Sequence, residues 1–280
     1  MEGQFDSIPT FFLLLGLFFA SKKPTLQNII YCGLALGIGG AVKHYPFLLL
    51  LPFLIIFTQR TRDRVVFLVT AILPYVICIP GSFNQDFIQS LTFGENYKMF
   101  ESGIMIGDIK ISFYLCLYVI LSLQLLFEKN KTLDTLIKYC FLFTSIYFIT
   151  SFWFVQRILF LMPPLLLLAG TRKKIMVSLP VLYVAYFIYA FFLFPGLFDH
   201  TLLRPIFPRV QPITYELFFP LLTIKTYIFS GMVGLIIWLI YAAITEKRET
   251  EAITLRNITI PAVTVSIYII LLIGLAFFHA

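Results

Sequence analysis

Two cations lie inside apolar stretches of this 280-residue sequence, Lys43 in GGAVKHYPFLLLLPF and Arg157 in FWFVQRILFLMPPLLLL. A bare cation at the bilayer centre costs about 2.5–3.5 kcal/mol, so each needs an anionic partner or a route to the lipid headgroups. His44 and Tyr45 flank the first cation, and Gln156 flanks the second. If the stretches converge, Arg157 can hold a lipid-linked phosphate through paired hydrogen bonds while Lys43 supplies a point charge. The alternative is that both side chains extend to phospholipid headgroups.

An amide and a carboxylate precede the first apolar stretch, in the tract GQFDSIP. Gln4 is a candidate binding residue, and Asp6 is a candidate base or ligand of a sugar hydroxyl. The alternative role of Asp6 is to cap the helix that follows, whose first turn contains Pro9. The three histidines are too scattered to predict a metal site, and the sequence has no P-loop, GxGxxG or HExxH motif. No residue pattern therefore predicts a metal site or a nucleotide cofactor.

The elements that position these residues are predicted to be transmembrane helices. Hydrophobic residues make up 60% of the chain and charged residues 12%, whereas ordinary soluble domains carry about 25% charged residues. The composition predicts an all-α, polytopic membrane bundle in which residues 1–280 form one transmembrane domain without a soluble domain. About ten passages are expected, some of them short and broken by proline. They cover residues 8–20, 29–42, 47–57, 65–80, 109–127, 139–155, 158–169, 175–194, 227–244 and 258–278.

The distribution of basic residues predicts the orientation. The stretches around Lys43 and Arg157 are each either one broken span or a hairpin of two short passages. Two hairpins place fourteen of the 21 Lys and Arg residues in the cytoplasm, whereas single spans leave no bias, so the positive-inside rule favours hairpins. Both termini and the long loops 81–107 and 196–225 are then extracytoplasmic. The cytoplasmic set is Lys22, Lys23, Arg60, Arg62, Arg64, Lys129, Lys131, Lys138, Arg172, Lys173, Lys174, Lys247, Arg248 and Arg256.

Two further patterns concern packing and partners. Gly33, Gly37, Gly39 and Gly40 place small residues along one helix, which predicts close helix packing rather than a cofactor site. The net charge of +7 comes from small, spaced clusters of basic residues. Nucleic-acid binding needs a contiguous basic face, so membrane lipid is the expected partner and nucleic acid is not.

The run of residues 3–57 resembles membrane glycosyltransferases of the GT-C superfamily, especially prokaryotic proteins related to the GPI-anchor mannosyltransferases. The resemblance lies in a Gly-Gln-x-Asp tract outside a helix, a basic turn, a Gly-rich helix and then Lys-x-x-Pro leading into a Leu-rich helix. The tract VQRILFLMPPLLLL resembles a second feature of these proteins, a basic turn before a short proline-containing helix. The rest of the chain is similar only in hydropathy.

The resemblance implies a GT-C-like fold and a mannosyltransferase-like enzyme in the plasma membrane of a prokaryote. Such an enzyme moves a hexose from a polyprenyl-phosphate sugar to a lipid- or protein-linked acceptor on the extracytoplasmic face, usually with inversion. The donor is a substrate, and a requirement for a divalent metal is left open.

The resemblance also implies where the principal catalytic base belongs. In the superfamily this acid lies upstream of the Gly-Gln-x-Asp tract, and here that tract begins two residues after Met1. The principal base is therefore expected upstream of Met1, and Asp6 corresponds to a secondary acid. We expect an N-terminally incomplete sequence, a split enzyme whose first half is another chain, or a degenerate protein.

Two other classes of function remain open from the sequence. A flippase of lipid-linked saccharides or a secondary transporter also carries intramembrane charges, prolines and glycines. The third class is a non-catalytic membrane subunit. The sugar, the acceptor and the oligomeric state are not predicted by any residue pattern.

Overall fold

The computed structural model describes residues 7–43, 45–78, 103–106, 109–150, 158–193 and 221–246. Helices contain 84% of these residues, which confirms that the chain is predominantly α-helical. The chain divides into two compact units, residues 1–168 and 169–280.

The helices follow the predicted passages closely. The first nine passages each coincide with helical residues, and the tenth, 258–278, lies outside the described residues. The helices of the first unit are α1 Ser7–Ala20, α2 Leu26–Val42, α3 Tyr45–Leu48, α4 Leu50–Pro52 with the π-helical turn Phe53–Phe57, α5 Thr61–Cys78, α6 Phe113–Leu126, α7 Leu133–Thr150 and α8 Ile158–Ala169. The second unit begins with the last residue of α8 and contains α9 Lys173–Leu193 and α10 Leu221–Thr245.

A short β-hairpin precedes α6 and was not predicted. Strands β1 Gly103–Ile106 and β2 Ile109–Ser112 pair antiparallel, with Ile104 opposite Ile111. The fifth passage was predicted to begin at residue 109, so its first four residues are strand rather than helix. Isoleucine alternating with other residues favours an extended strand, and the helix starts only where continuous apolar sequence begins at Phe113.

Glycines bring α2 against its neighbours, which confirms the predicted close packing. A Cβ atom on Gly33 would clash with Thr70 of α5, and one on Gly37 would clash with the backbone of Ala71. On the α1 side, a Cβ atom on Gly39 would stand 3.0 Å from Phe12 Cβ. These contacts make α2 antiparallel to α1 and parallel to α5. Side chains larger than hydrogen would separate the helices.

The chain reverses direction after α2, as the hairpin alternative predicts. Phe47 of α3 packs against Gly40, and Phe53, farther along, lies near Gly16 and stacks on Phe67 with ring centroids 6.4 Å apart. The helix between them is interrupted at Leu49 and becomes a π-helical turn directly after Pro52. Proline lacks the N–H that would continue the ordinary hydrogen-bond pattern, which accounts for the irregularity at this point.

Helices α6 and α7 form an antiparallel pair. Tyr114 meets Tyr147 at a centroid distance of 6.4 Å, and Tyr118 meets Phe143 at 4.8 Å. At the turn between the helices, Glu128 accepts a hydrogen bond from Lys138 Nζ at 3.2 Å. The charged turn therefore closes one end of an otherwise apolar helix pair.

Polar contacts join the start of α9 to the end of α10 in the second unit. The Glu246 carboxylate accepts the backbone N–H of Lys174 at 3.1 and 3.2 Å. Buried Arg172 donates through Nε to the Glu246 carbonyl oxygen at 3.3 Å. Farther along, Trp238 Nε1 donates to Ser178 Oγ at 3.2 Å. An acidic group at a helix N-terminus satisfies free N–H groups and complements the helix dipole.

Within the described residues, α7 is the helix that is long and apolar enough to cross a membrane, and most of it is buried in the structure. Shorter apolar helical stretches cover Ile8–Ala20, Leu26–Val42, Phe113–Leu126, Phe160–Ala169 and Ser230–Thr245.

Candidate functional site

Tyr45, at the start of α3, is the point where three segments of the first unit meet. Its side chain is only 4% exposed. The hydroxyl lies 3.2 Å from Thr10 Oγ1 of α1. The ring stacks on Phe160 of α8, with centroids 3.5 Å apart and planes inclined by 20°. Tyr45 thus joins the starts of α1, α3 and α8, and we call this region the hinge end.

The backbone at Lys43 explains why α3 turns back so sharply. Lys43 ends α2 in an extended conformation, with φ −149° and ψ 137°, while its N–H still bonds to Gly39 O at 3.0 Å. A Cβ atom on Gly40 would lie 2.7 Å from the Phe47 ring. Because the end of α2 carries glycine, α3 can fold directly against it. Pro46 lies in the first turn of α3, where its missing N–H is not needed.

Lys43 carries its charge at the C-terminal end of α2. Its side chain is half-buried, and it follows the last helical residue of α2. A cation at a helix C-terminus is stabilised by the negative end of the helix dipole. Half-burial also strengthens its attraction to an anion, because the surrounding apolar residues exclude water.

The structure describes only part of the three predicted site segments. Of the seven predicted site residues, Lys43 and Tyr45 are described. The other five lie outside the described residues: Gln4, Asp6, His44, Gln156 and Arg157. Thr10 lies four residues after Asp6 in the sequence, and Phe160 lies three residues after Arg157. Both contact Tyr45.

The structure does not test the expected position of the principal catalytic base. Met1 itself lies outside the described residues, which begin at Ser7 of α1. The expectation that the family base precedes Met1, and that Asp6 is a secondary acid, therefore stays a prediction from the resemblance.

The sequence analysis did not predict the cluster of tyrosines that lies beside the hinge end. Tyr118 donates a hydrogen bond to Leu48 O at 3.3 Å, one turn along α3 from Tyr45. Tyr114 packs next to Tyr118 with ring centroids 5.8 Å apart and is 3% exposed. The available signal was the spacing of these two tyrosines, which are four residues apart in an apolar stretch and so share one helix face. Buried tyrosines present both an apolar ring and a hydrogen-bonding group.

The groups assembled here suit binding more directly than proton transfer. Hydroxyls and aromatic rings can hold a sugar or a lipid chain, and an ammonium group can hold a phosphate. Deprotonation of an acceptor requires a base, for which Asp6 remains the candidate from the sequence. Within the part of the chain that the structure describes, no group of three or more His, Cys, Asp or Glu residues could hold a metal ion.

Comparison of the chain with models of protein families, with curated proteins and with solved structures found no match. The resemblance to the GT-C superfamily therefore stays a prediction based on two sequence tracts. The arrangement around Tyr45 supplies independent grounds for a proposal.

Proposed function

We propose that this protein is a membrane glycosyltransferase of GT-C type that takes a hexose, mannose or a similar sugar, from a polyprenyl-phosphate donor. The observation that carries this proposal is the junction at Tyr45, where the starts of α1, α3 and α8 meet. In the sequence, Asp6 precedes α1, Lys43 precedes α3 and Arg157 precedes α8. A donor with a negatively charged phosphate and a long apolar tail matches a cation set among apolar helices.

The residues have separate roles in this proposal. Lys43 and Arg157 hold the donor phosphate and stabilise the charge that develops as the sugar leaves. Tyr45, by packing between Thr10 and Phe160, fixes the distance between the two cationic segments. Gln4, His44 and Gln156 bind the sugar or phosphate oxygens, and Asp6 assists the acceptor hydroxyl. We propose that the hinge end faces the extracytoplasmic side of a prokaryotic plasma membrane.

The surfaces of the described helices support the membrane part of the proposal. Large apolar side chains point away from the protein on most helices, including Phe18 of α1, Val69 of α5, Val119 of α6 and Val177 of α9, each more than half exposed. Soluble proteins rarely expose apolar patches beyond a few hundred Å². Lipid chains would cover such surfaces without penalty.

Donor binding is the first test, because binding does not depend on the base. The purified chain in detergent is titrated with a fluorescent short-chain polyprenyl-phosphate mannose, and anisotropy gives Kd. Hydrogen bonds to charged groups contribute about 1.5–3 kcal/mol, so Lys43→Gln and Arg157→Gln should each weaken binding about 10- to 100-fold. Lys173→Gln is the matched control, since Lys173 is an exposed cation at the start of α9. Equal affinity in all four proteins would refute the phosphate clamp.

Transfer and transport are separated in a second assay. Vesicles that contain the chain receive the labelled donor in one leaflet, together with membrane extract as a source of acceptor. Label that reaches an acceptor, and that is lost in Asp6→Asn, supports a transferase. Label that crosses the bilayer still attached to its lipid supports a flippase instead. A non-catalytic subunit would do neither.

A further inference from the structure

The end of the first unit opposite the hinge carries a dense group of cations. We call it the basic end and define it by Lys22, Lys23, Arg60, Arg62 and Arg64. Helices α2 and α5 are parallel and are in contact at Gly33 and Gly37. Leu26 and Thr61 begin these helices and lie about 10 and 14 Å before the contact of Gly33 with Thr70, at about 1.5 Å per residue. The turn before α2 and the start of α5 therefore lie side by side.

The charges at the basic end are poorly balanced. Lys22, Lys23, Arg60 and Arg62 are all exposed, and one acid, Asp63, lies among them. Two helix N-termini point to the same side and add their own positive potential. Arg64 Nε is buried and has no hydrogen-bond partner within the described ranges. A buried guanidinium donor without an acceptor is costly. An anion at the surface would not reach this atom, but it would stabilise the positive charge of Arg64.

Exposed apolar side chains lie next to the cations of the basic end, on the side nearer the middle of the helices. Phe18, Leu26, Val65 and Val69 are exposed within two turns of the basic residues. Lys22 Nζ lies 4.2 Å from the centroid of the Phe18 ring, so a positive charge and an exposed apolar ring are next to each other on this surface. A phospholipid makes the same transition from acyl chains to phosphate. The surface is therefore complementary to a lipid along both parts of the molecule.

We propose that the basic end binds the headgroups of anionic phospholipids in the cytoplasmic leaflet. The proposal rests on the membrane location proposed above, and it does not depend on glycosyl transfer. Attraction to an anionic surface contributes about 1 kcal/mol per nearby Lys or Arg. Removal of one exposed cation from each helix start, in Lys23→Gln/Arg62→Gln, should weaken binding of anionic lipid about 30-fold at low salt.

The experiment uses the full chain in a neutral detergent with headgroup-labelled phosphatidylglycerol, and anisotropy measures binding. Unlabelled phosphatidylcholine and inorganic phosphate serve as competitors. The control variant is Lys173→Gln/Lys174→Gln, which removes two exposed cations from the second unit. Circular dichroism confirms that all proteins are folded, and recovery of the chain with neutral vesicles after carbonate extraction tests membrane insertion separately.

We expect tight phosphatidylglycerol binding that weakens with salt, that is about 30-fold weaker in Lys23→Gln/Arg62→Gln and that is retained in the control. Equal losses in both double variants would overturn the proposal, because binding would then follow net charge alone. Displacement by millimolar inorganic phosphate would also overturn it, since the site would then take phosphate rather than lipid. Failure to insert into neutral vesicles would instead refute the membrane location on which it rests.

Discussion

Gly37 offers a direct test of how α2 and α5 are held together. A Cβ atom at this position would clash with the backbone oxygen of Ala71 and would stand 3.0 Å from Pro74 Cδ. These atoms belong to the helix backbone and a rigid ring, so Gly37→Ala must push the helices apart. Overpacking costs about 1–3 kcal/mol, and alanine recovers up to about 1 kcal/mol of helix propensity. We expect the free energy of unfolding to fall by about 1–2 kcal/mol.

Gly234 in α10 provides the matched control, because nothing lies within 4 Å of a Cβ atom placed there. Gly234→Ala gains helix propensity without a clash and should raise the free energy of unfolding by about 0.5–1 kcal/mol. Both variants are unfolded in the same mixed micelles by titration with SDS, and the loss of helical circular dichroism is followed. A Gly37→Ala protein as stable as Gly234→Ala would refute the close packing of α2 on α5.

Three further predictions concern polar contacts. Tyr45→Phe and Thr10→Val each remove one partner of the hydroxyl contact, so each should lower the free energy of unfolding by about 1 kcal/mol. The double variant should lose little more than either, and full additivity would show that the hydroxyls do not interact. Burial works against the charge of Glu128, yet the hydrogen bond and positive charge of Lys138 outweigh it and hold the pKa below that of an ordinary glutamate. The ionised Glu128 carboxylate therefore contributes fully to stability above the pKa of an ordinary glutamate, and this contribution disappears as the pH falls through the lowered pKa. Glu128→Gln should lower the free energy of unfolding by up to about 1 kcal/mol at pH 7 and should have no effect in strong acid. Chemical denaturation at several pH values measures this, and a difference that persists in acid would contradict it. Glu246→Ala removes the acceptor of the Lys174 N–H at the start of α9 and should lower the free energy of unfolding by about 1 kcal/mol, while Glu246→Gln should lower it less. Hydrogen exchange in the first turn of α9 should become faster in Glu246→Ala. Unchanged exchange would argue against this cap.

The helices could be predicted from the sequence because charge and proline mark where apolar stretches end. The predicted passage 158–169 coincides with α8, and 8–20 differs from α1 by one residue. The glycine pattern of α2 was equally informative, since a small residue at Gly33 or Gly37 has few uses in a helix other than close packing. Local signals of this kind do not depend on the rest of the fold.

The same local signals do not predict tertiary contacts. Nothing in the apolar tract ILFLMPP distinguishes Phe160 from its neighbours, because stacking on Tyr45 depends on how α8 returns to α3. The hairpin before α6 was missed for another reason. Its strands have only four residues each, and apolar runs this short do not distinguish a strand from the start of a helix.

The length of α2 connects the two ends of the first unit. Its 17 residues span about 26 Å, close to the hydrocarbon thickness of about 30 Å, and Lys23 and Lys43 lie just beyond its opposite ends. Lys43 would therefore lie at the same depth in the bilayer whether its side chain extends to a phospholipid headgroup or binds the phosphate of the donor. The two explanations differ in what else is required. A headgroup contact needs only Lys43, whereas a phosphate clamp also needs α8 to approach, and Phe160 against Tyr45 is the contact that brings it there. Weakened donor binding in Phe160→Ala, with Lys43 intact, would therefore favour the clamp over snorkelling.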